Sequence, residues 1–226
     1  MPLPSPFDAA RAVVFDAYGT LFDVHSAVQR HAAAIGAEAA SLSETWRHKQ
    51  LEYSWVLSLA GRYAPFSALT AQALDYALAK HPGIDRSMRA PLLDAYRRLD
   101  PYPEVPAALG ALRRAGLATA ILSNGDPGML DEAVRSASLG PLLDAVISVD
   151  PAGTFKTSPR AYALATDRLG LPAAAILFVS SNRWDVAGAA GQGFLPAWVN
   201  RTGQPDEYPD LPPLRVIDRL DALLHG

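Results

Sequence analysis

Short apolar runs recur along the chain, and they limit its fold more than any other feature of the sequence. The first run, Ala-Val-Val-Phe at residues 12–15, ends at Asp16. Three similar runs end in the same abrupt way at polar residues, and two weaker ones follow: 117–122, 145–149 and 176–179, then 197–199 and 215–217. Because the main runs are apolar throughout, they predict strands that are buried on both faces of a sheet.

Helical patterns fill most of the spaces between these runs. Residues 103–115 predict one helix, and Asp126-Pro127 and Ser158-Pro159 each place a capping residue before a proline, which is typical of a helix start. Strands that alternate with helices of about 10–14 residues form a parallel sheet with helices on both faces. The sequence therefore predicts an α/β fold with a doubly wound, Rossmann-like parallel sheet.

One long segment interrupts this alternation. Residues 26–99 contain several helical patterns and no convincing strand, and the chain leaves them through a proline-rich joint, Asp100-Pro101-Tyr102-Pro103. We predict a helical cap domain inserted after the first strand. Residues 1–22 and 100–226 would form the Rossmann-like catalytic core, and residues 23–99 the cap.

The composition excludes several classes of protein. The 226 residues include no cysteine, which rules out disulfides, thiolate metal ligands and a cysteine nucleophile. A net charge of −3 offers no basic field for nucleic acid. Residues 1–12 lack the apolar centre of a signal peptide, and the most apolar later run, 171–179, is too short to cross a bilayer. We therefore expect a soluble, cytoplasmic protein that binds neither nucleic acid nor membranes.

Polar residues follow the ends of the predicted strands. Ligands of open α/β sheets bind beyond the carboxyl ends of the strands, so these residues are expected to meet at one site. They come from four strands: Asp16, Ser123, Asn124, Lys156, Ser180, Ser181, Asn182 and Asp185. Each of them alone is more often a turn or cap residue. Their common placement favours a functional site.

Four segments resemble, in order, the motifs of the haloacid dehalogenase superfamily. The first, Asp16-Ala17-Tyr18-Gly19-Thr20, has an Asp followed four residues later by a Thr. The others are Ser123-Asn124, Lys156 with Ser158-Pro159, and Ser180-Ser181-Asn182 with Asp185. The resemblance covers almost the whole chain, and it implies a hydrolase in which Asp16 is the nucleophile.

Most members of this superfamily are phosphatases, and two places separate the present sequence from them. The magnesium-dependent phosphatases carry a second Asp two residues after the nucleophile, where this chain has Tyr18. They also carry acidic metal ligands in the fourth motif, where this chain has Ser181 and Asn182. The five histidines show no metal-ligand spacing. We therefore expect no metal and no cofactor, and the sequence resembles the L-2-haloacid dehalogenases instead.

The predicted cap carries the most specific part of this resemblance. Residues 46–55 resemble the cap-helix motif that holds the essential Arg of these dehalogenases, here Arg47. The family usually has Gln at the next position, where this chain has His48. A His48 side chain that faced the substrate would change the range of acids accepted without removing the reaction.

The resemblance implies hydrolytic dehalogenation of short L-2-haloalkanoic acids to 2-hydroxy acids. Asp16 attacks the halogen-bearing carbon with inversion, halide leaves, and water hydrolyses the ester. Lys156 keeps Asp16 ionised, Asp185 activates the water, and Arg47 with Asn182 cradles the halide. The resemblance also implies that Thr20 and Ser180 support the catalytic groups and that Ser123 and Asn124 bind the substrate carboxylate. Other residues are implied to contact the substrate: Tyr18, His48, Leu51, Phe66, Tyr162 and Trp184.

Two other expectations concern charge and partners. Backbone N–H groups after Ser123 and the helix that opens at Pro127 are expected to add positive potential for the substrate carboxylate. The partners implied are the haloacid, water, halide and a second copy of the chain in a homodimer, with the segment around Tyr53, Trp55 and Leu59 as a possible interface. A phosphatase on the same fold and a non-catalytic Rossmann-like binding protein remain the alternatives.

Overall fold

The computed structural model describes residues 7–224. Residues 1–6 of the predicted core, and His225 with Gly226 at its end, lie outside the described residues. The described chain contains a six-stranded sheet in which all paired strands are parallel. Its strands are β1 (Ala12–Phe15), β2 (Ala118–Ser123), β3 (Ala145–Ser148), β4 (Ile176–Ser180), β5 (Leu195–Val199) and β6 (Arg215–Ile217).

The strand order is β3-β2-β1-β4-β5-β6, which confirms the predicted doubly wound α/β fold. Ala12 of β1 is paired with Ala118 of β2 on one side and with Ile176 of β4 on the other. All residues of β1 and β4 are buried, as expected for strands covered on both faces. The connections leave β1 and β4 in opposite directions, so a crevice lies at the carboxyl ends of these two strands.

Nine α-helices accompany the sheet in the described chain. They are α1 (Ser26–Gln29), α2 (Ala32–Ile35), α3 (Ala39–Leu59), α4 (Phe66–Lys80), α5 (Arg89–Arg97), α6 (Val105–Arg114), α7 (Pro127–Ser136), α8 (Pro159–Leu169) and α9 (Arg183–Gly191). Helices α7 and α8 begin at the predicted prolines. The Asp126 carboxylate accepts a hydrogen bond from the Met129 N–H at 3.2 Å, which satisfies one free donor of α7. No helix among residues 7–224 is long and apolar enough to span a bilayer.

Helices α1 to α5 occupy the long interval between β1 and α6. Residues 26–99, all of which are described, contain no strand, as predicted. The two segments that join this interval to the sheet run side by side, because the Asp23 N–H donates to the Asp100 carbonyl at 2.8 Å and Phe22 bridges to Pro101. This pairing supports the division into residues 1–22 with 100–226 and residues 23–99, which stays a prediction.

Buried polar contacts join the two longest of these helices. Trp46 Nε1 on α3 donates to the Thr70 carbonyl of α4 at 2.9 Å, and Gln50 Nε2 donates to Thr70 Oγ1 at 3.1 Å. Tyr96 Oη on α5 donates to Gln50 Oε1 at 3.3 Å. Buried polar groups that are paired in this way hold their elements in one arrangement. They fix the orientation of α3, and therefore the direction from which Arg47 approaches the sheet.

Candidate active site

Asp16 stands directly after the central strand β1, at the crevice between β1 and β4. It is buried, and its carboxylate accepts three hydrogen bonds from side chains. Lys156 Nζ donates to Oδ1 at 3.1 Å, while Asn182 Nδ2 and Thr20 Oγ1 donate to Oδ2 at 2.8 and 3.2 Å. The carboxylate is thus held in one orientation by three donors, one of which is a cation.

Lys156 lies between two carboxylates. Its ammonium group is 3.1 Å from Asp16 Oδ1 and 2.9 Å from Asp185 Oδ2, with no side-chain exposure to solvent. Burial by itself lowers the pKa of Lys156, but the charges of Asp16 and Asp185 outweigh it, so that the pKa of Lys156 is raised. Lys156 is therefore a permanent cation at neutral pH.

Asp185 lies in the first turn of α9 and is fully buried. Its Oδ1 accepts a hydrogen bond from Tyr162 Oη at 2.8 Å. Burial raises the pKa of Asp185 to about 6, because the opposing effect of the Lys156 charge is smaller. The nearby Asp16 charge acts in the same direction as burial. A carboxyl group that titrates this close to neutrality is suited to take a proton from water.

The loop after β4 supports the nucleophile through residues around Asn182. The Ser181 N–H donates to Thr20 Oγ1 at 2.9 Å, and the Ser181 hydroxyl donates to the Gly19 carbonyl. Ser180 Oγ accepts a hydrogen bond from the Asn182 N–H at 3.1 Å. Ser181 was predicted to lie with the other polar residues at the strand ends, but no role in the site was assigned to it. Its role depends on contact with Thr20, 161 positions away in the sequence.

Arg47 reaches the site from helix α3. Its Nη2 donates to the Tyr18 carbonyl at 3.1 Å and lies 3.5 Å from Asn182 Oδ1. Asn182 therefore links Arg47 to Asp16, since its Nδ2 bonds the Asp16 carboxylate. The interval between β1 and α6 thus contributes a cation to the crevice, while the role of Arg47 in the reaction stays a prediction.

The loop after β2 differs in part from expectation. Ser123 is buried, and its Oγ accepts a hydrogen bond from the Gly125 N–H at 3.1 Å. Asn124 Oδ1 accepts one from the Lys156 N–H at 2.9 Å, so this oxygen positions the Lys156 backbone. The start of α7 does not face the crevice unopposed, because the Asp126 carboxylate caps it. Asp126 Oδ2 also accepts from the Ser67 N–H of α4 at 2.9 Å.

An aromatic cluster closes one side of the crevice. The Tyr18 ring stacks on Tyr96 at 5.7 Å between centroids and lies 6.2 Å from Phe66. Tyr18 Oη is buried and has no hydrogen-bond partner among residues 7–224. Burial raises the pKa of Tyr18 well above its usual value, so the hydroxyl keeps its proton. Tyr18 and Phe66 form a largely apolar wall, and their contact with a substrate stays a prediction.

Two other predicted contact residues lie farther round the site. Trp184 packs edge-on against Trp55 of α3 at 5.5 Å and, together with Lys156, lines a cavity of about 730 Å³. Leu51 is half-buried one helical turn after Arg47, which places the two on the same side of α3.

His48 is the predicted site residue that the structure does not bring to the crevice. Its side chain is 74% exposed, and its Nε2 lies 3.5 Å from Glu52 Oε2 on the outer side of α3. The reason is the helical period, because adjacent residues on a helix point about 100° apart. Since Arg47 faces inward, His48 cannot share its direction. The assignment of His48 to substrate binding is corrected accordingly.

His48→Gln is therefore expected to leave substrate preference unchanged. Surface substitutions away from special features alter free energies by about 0.5 kcal/mol at most, which is roughly a twofold effect. We expect the ratios of kcat/KM among chloroacetate, 2-chloropropionate and longer 2-chloro acids to stay within that range. Phe66→Leu, at a buried ring of the wall, serves as the positive control. A changed profile in His48→Gln would show that this side chain reaches the substrate.

Residues of the metal-binding type do not gather near the site. Within residues 7–224, no group of three or more His, Asp or Glu side chains is placed to hold a metal ion. The position two residues after Asp16 is occupied by the Tyr18 ring, which packs against the aromatic cluster. The cation that faces Asp16 and Asp185 is Lys156.

Comparison with known proteins identifies the family. The chain matches the family model of haloacid dehalogenase-like hydrolases over residues 10–193. It is 48% identical over 217 residues to (S)-2-haloacid dehalogenase 1 from Pseudomonas sp. (strain CBS-3), a match that covers 96% of each chain. A solved dehalogenase with an intermediate complex has a TM-score of 0.93 and 43% identity, covering 95% of this chain and 96% of that one. L-2-haloacid dehalogenase from Xanthobacter autotrophicus, with chloropropionic acid covalently bound, has a TM-score of 0.86 and 41% identity, with coverage of 95% and 96%.

Fold and site together define the class of the protein. It is a hydrolase with a parallel, doubly wound sheet, in which the buried Asp16 carboxylate and a second carboxylate share one lysine. An arginine from α3 approaches the same crevice. The chain belongs to the haloacid dehalogenase-like hydrolase family.

Proposed function

We propose that this chain hydrolyses the carbon–halogen bond of short L-2-haloalkanoic acids and releases the 2-hydroxy acid of inverted configuration. The observation that carries the proposal is the Asp16 carboxylate, which is buried and accepts hydrogen bonds from three donors, one of them Lys156. Two of the similar proteins named above are dehalogenases of 2-haloacids, and one of these holds chloropropionic acid covalently.

In the first step, an Asp16 carboxylate oxygen attacks C2 of the substrate from the side opposite the halogen. A carbon–oxygen bond forms, the carbon–halogen bond breaks with its electron pair on the halide, and an ester of Asp16 results. Arg47 and the Asn182 amide, 3.5 Å apart, are the groups that would stabilise the departing halide. Ser123, whose Oγ accepts from the Gly125 N–H and keeps its own proton to donate, would hold the substrate carboxylate.

In the second step, water attacks the carbonyl carbon of the Asp16 ester. Asp185 accepts a proton from this water and returns it to the leaving oxygen of the 2-hydroxy acid, while the second proton of the water stays on the new Asp16 carboxyl group. Release of that second proton to solvent, one for each halide released, restores both carboxylates. Tyr162 positions Asp185 through the 2.8 Å hydrogen bond, and Lys156 holds the Asp16 side of the ester. No external oxidant, reductant or cofactor is needed for this balance.

The charges of the site suit an anionic substrate. Asp16, Asp185 and a bound haloacid carry three negative charges, while Lys156 and Arg47 carry two positive ones. A pair of opposite charges 4 Å apart contributes about 4 kcal/mol at an effective dielectric constant of 20. Neither cation is dispensable, because two anions must approach each other for the first step.

Halide release tests this proposal directly. The purified protein is incubated with L-2-chloropropionate, D-2-chloropropionate and, in parallel, p-nitrophenyl phosphate. We expect chloride and the D-2-hydroxy acid from the L-substrate, and negligible turnover of the other two. Phosphate release without chloride would support the phosphatase alternative, and turnover of no compound would support the non-catalytic one.

Activity is expected to survive exhaustive chelation. Lys156 occupies the place between the carboxylates, and Tyr18 stands where magnesium-dependent relatives carry an acidic ligand, so the reaction needs no divalent cation. Chloride release is measured after prolonged treatment with EDTA, then with added magnesium. The rate should remain within about twofold of the untreated rate. Loss on chelation that magnesium reverses would contradict the proposal.

We also propose that the chain forms a homodimer through the exposed C-terminal end of α3. Three apolar side chains near the end of this helix are exposed: Trp55 by 36%, Val56 by 55% and Leu59 by 91%. Tyr53, named with them from the sequence, packs partly against the core instead.

The mass in solution should be that of two chains, and Leu59→Glu should reduce it to one. Leu214→Glu, at an exposed leucine far along the chain, is the control. A single-chain mass for the unmodified protein would contradict the proposal.

A cytoplasmic location stays a prediction. Cell fractionation that places the activity outside the cytoplasm would contradict it.

A further inference from the structure

Gly188 is an unusual residue for its place in helix α9. It lies inside the helix, three positions after Asp185, and its neighbours are Ala187, Ala189 and Ala190. A glycine in a helix interior is less favourable than alanine because it loses more backbone freedom on folding. A glycine at this position therefore needs a structural explanation.

A side chain at position 188 would collide with Tyr162. A Cβ atom built on Gly188 lies 2.2 Å from Tyr162 Oη and 2.9 Å from Tyr162 Cζ. It also lies 2.9 Å from Cγ2 of Thr157, the residue after Lys156. Real Cβ contacts are never this short, so the phenol end of Tyr162 occupies the space that any side chain here would need.

The phenol end of Tyr162 bonds the carboxylate of Asp185. Tyr162 Oη is 2.8 Å from Asp185 Oδ1 and 3.1 Å from the Asp185 carbonyl, and the ring is buried against Phe178. Three groups with titratable or charged side chains face Asp185: Lys156 from the loop after β3, Asp16 from the end of β1, and Tyr162 from α8. Of these, Tyr162 is the neutral donor.

We propose that Gly188 is a positioning residue for the reaction, because its missing side chain lets the Tyr162 hydroxyl reach the Asp185 carboxylate. This inference rests on the proposed function, in which Asp185 takes the proton of the hydrolytic water. The hydrogen bond from Tyr162 favours the charged, proton-accepting form of Asp185 and so opposes the rise in its pKa that burial causes.

Gly188→Ala tests the inference through the dependence of kcat on pH. The added methyl group displaces the Tyr162 hydroxyl, and the pKa of Asp185 rises because a bond to its charged form is lost. We expect the acid limb of the kcat profile to move up by about one to two pH units, the range that the loss of a hydrogen bond to a charged group spans. At pH 6, where about half of the wild-type Asp185 is ionised, the rate should fall by roughly fivefold to fiftyfold, and it should recover toward the wild-type rate at alkaline pH.

A second measurement detects only those enzyme molecules that have reacted with substrate, because it quantifies the Asp16 ester. Because Asp185 acts on the ester and not on its formation, Gly188→Ala should accumulate the Asp16 ester during turnover below pH 7. Mass spectrometry of acid-quenched enzyme measures the esterified fraction. Wild-type enzyme and Gly188→Ala with equal esterified fractions and equal acid limbs would overturn the inference.

Matched variants separate positioning from a general effect on the helix. Gly191→Ala makes the same change at the end of α9, where the Cβ would have its nearest contact at an ordinary 3.9 Å, and it should leave the profile unmoved. Tyr162→Phe should reproduce the shift of Gly188→Ala, and the double variant should shift no further. A shift in Gly191→Ala, or additive shifts in the double variant, would contradict the mechanism.

The inference can be tested even where Gly188→Ala folds poorly. The decrease in melting temperature that Gly188→Ala causes is then measured twice, once in the wild-type protein and once in the Tyr162→Leu variant, which lacks the colliding atoms. A smaller cost in Tyr162→Leu supports the close approach, and an equal cost overturns it. Failure of the proposed function looks different, since the wild-type protein itself would then release no halide.

Discussion

Asp16→Asn is expected to abolish dehalogenation, with a loss of at least about 10⁴-fold in the rate of chloride release, as for removal of a nucleophile in other covalent enzymes. The substitution keeps the size of the side chain but replaces an anionic nucleophile by a neutral amide. It also places an N–H₂ group against side chains that already donate to this position, Lys156 on one oxygen and Thr20 with Asn182 on the other. The fold should persist, because the change is isosteric.

Chloride release and circular dichroism measure these two expectations together. Asp8→Asn, which makes the same chemical change at an exposed aspartate, should retain full activity. A single turnover with enzyme in excess in heavy-oxygen water gives an independent test of the role of Asp16. The first product hydroxyl should contain light oxygen from the Asp16 carboxylate. Heavy oxygen in that hydroxyl would mean that water attacks the substrate directly.

Lys156→Met is expected to lower both activity and stability. The variant leaves Asp16 and Asp185 buried and facing each other without a cation, so one of them takes up a proton or the site opens. We expect a loss of at least about 10³-fold in kcat/KM, because both carboxylates have assigned roles in the reaction. Removal of one partner from a buried ion pair also costs about 3–5 kcal/mol in the free energy of unfolding near neutral pH.

The stability loss of Lys156→Met should depend on pH in a defined direction. Protonation of the unpaired carboxyls removes the uncompensated charge, so the deficit relative to the wild-type protein should shrink as the pH falls toward 5. In the wild-type protein, the raised pKa of Lys156 means that its stabilising contribution persists below the ordinary lysine pKa and is lost only at strongly alkaline pH.

Urea unfolding of both proteins at pH 5 and pH 8 measures this difference. Lys80→Met, at an exposed lysine near the end of α4, is the control and should change neither activity nor stability appreciably. A deficit in Lys156→Met that grows on acidification would contradict the ion-pair arrangement.

Much of the fold was predictable from the sequence because it depends on local patterns. The apolar runs became β1 to β4, and even the weak runs at 197–199 and 215–217 lie in β5 and β6. Asp126-Pro127 and Ser158-Pro159 began helices because a capping residue and a proline act within one turn. Asp16, Lys156 and Asp185 were placed near one another by the rule that parallel strands end at the same edge.

The rest was decided by contacts between distant parts of the chain. Ser181 supports Thr20 across 161 positions, and Asn124 turns its oxygen to the Lys156 backbone and not to the crevice. His48 points to solvent because α3 packs with Arg47 inward, which a motif of adjacent residues does not reveal.

The sequence by itself determined which residue types end which strands, since burial and helix capping act over a few residues. Only the tertiary structure decided the partner of each side chain and the space around it. The Gly188 position shows the difference most directly, because the atom that excludes a side chain there belongs to Tyr162 on another helix. Such a constraint depends on how α8 and α9 pack, and no local pattern contains that distance.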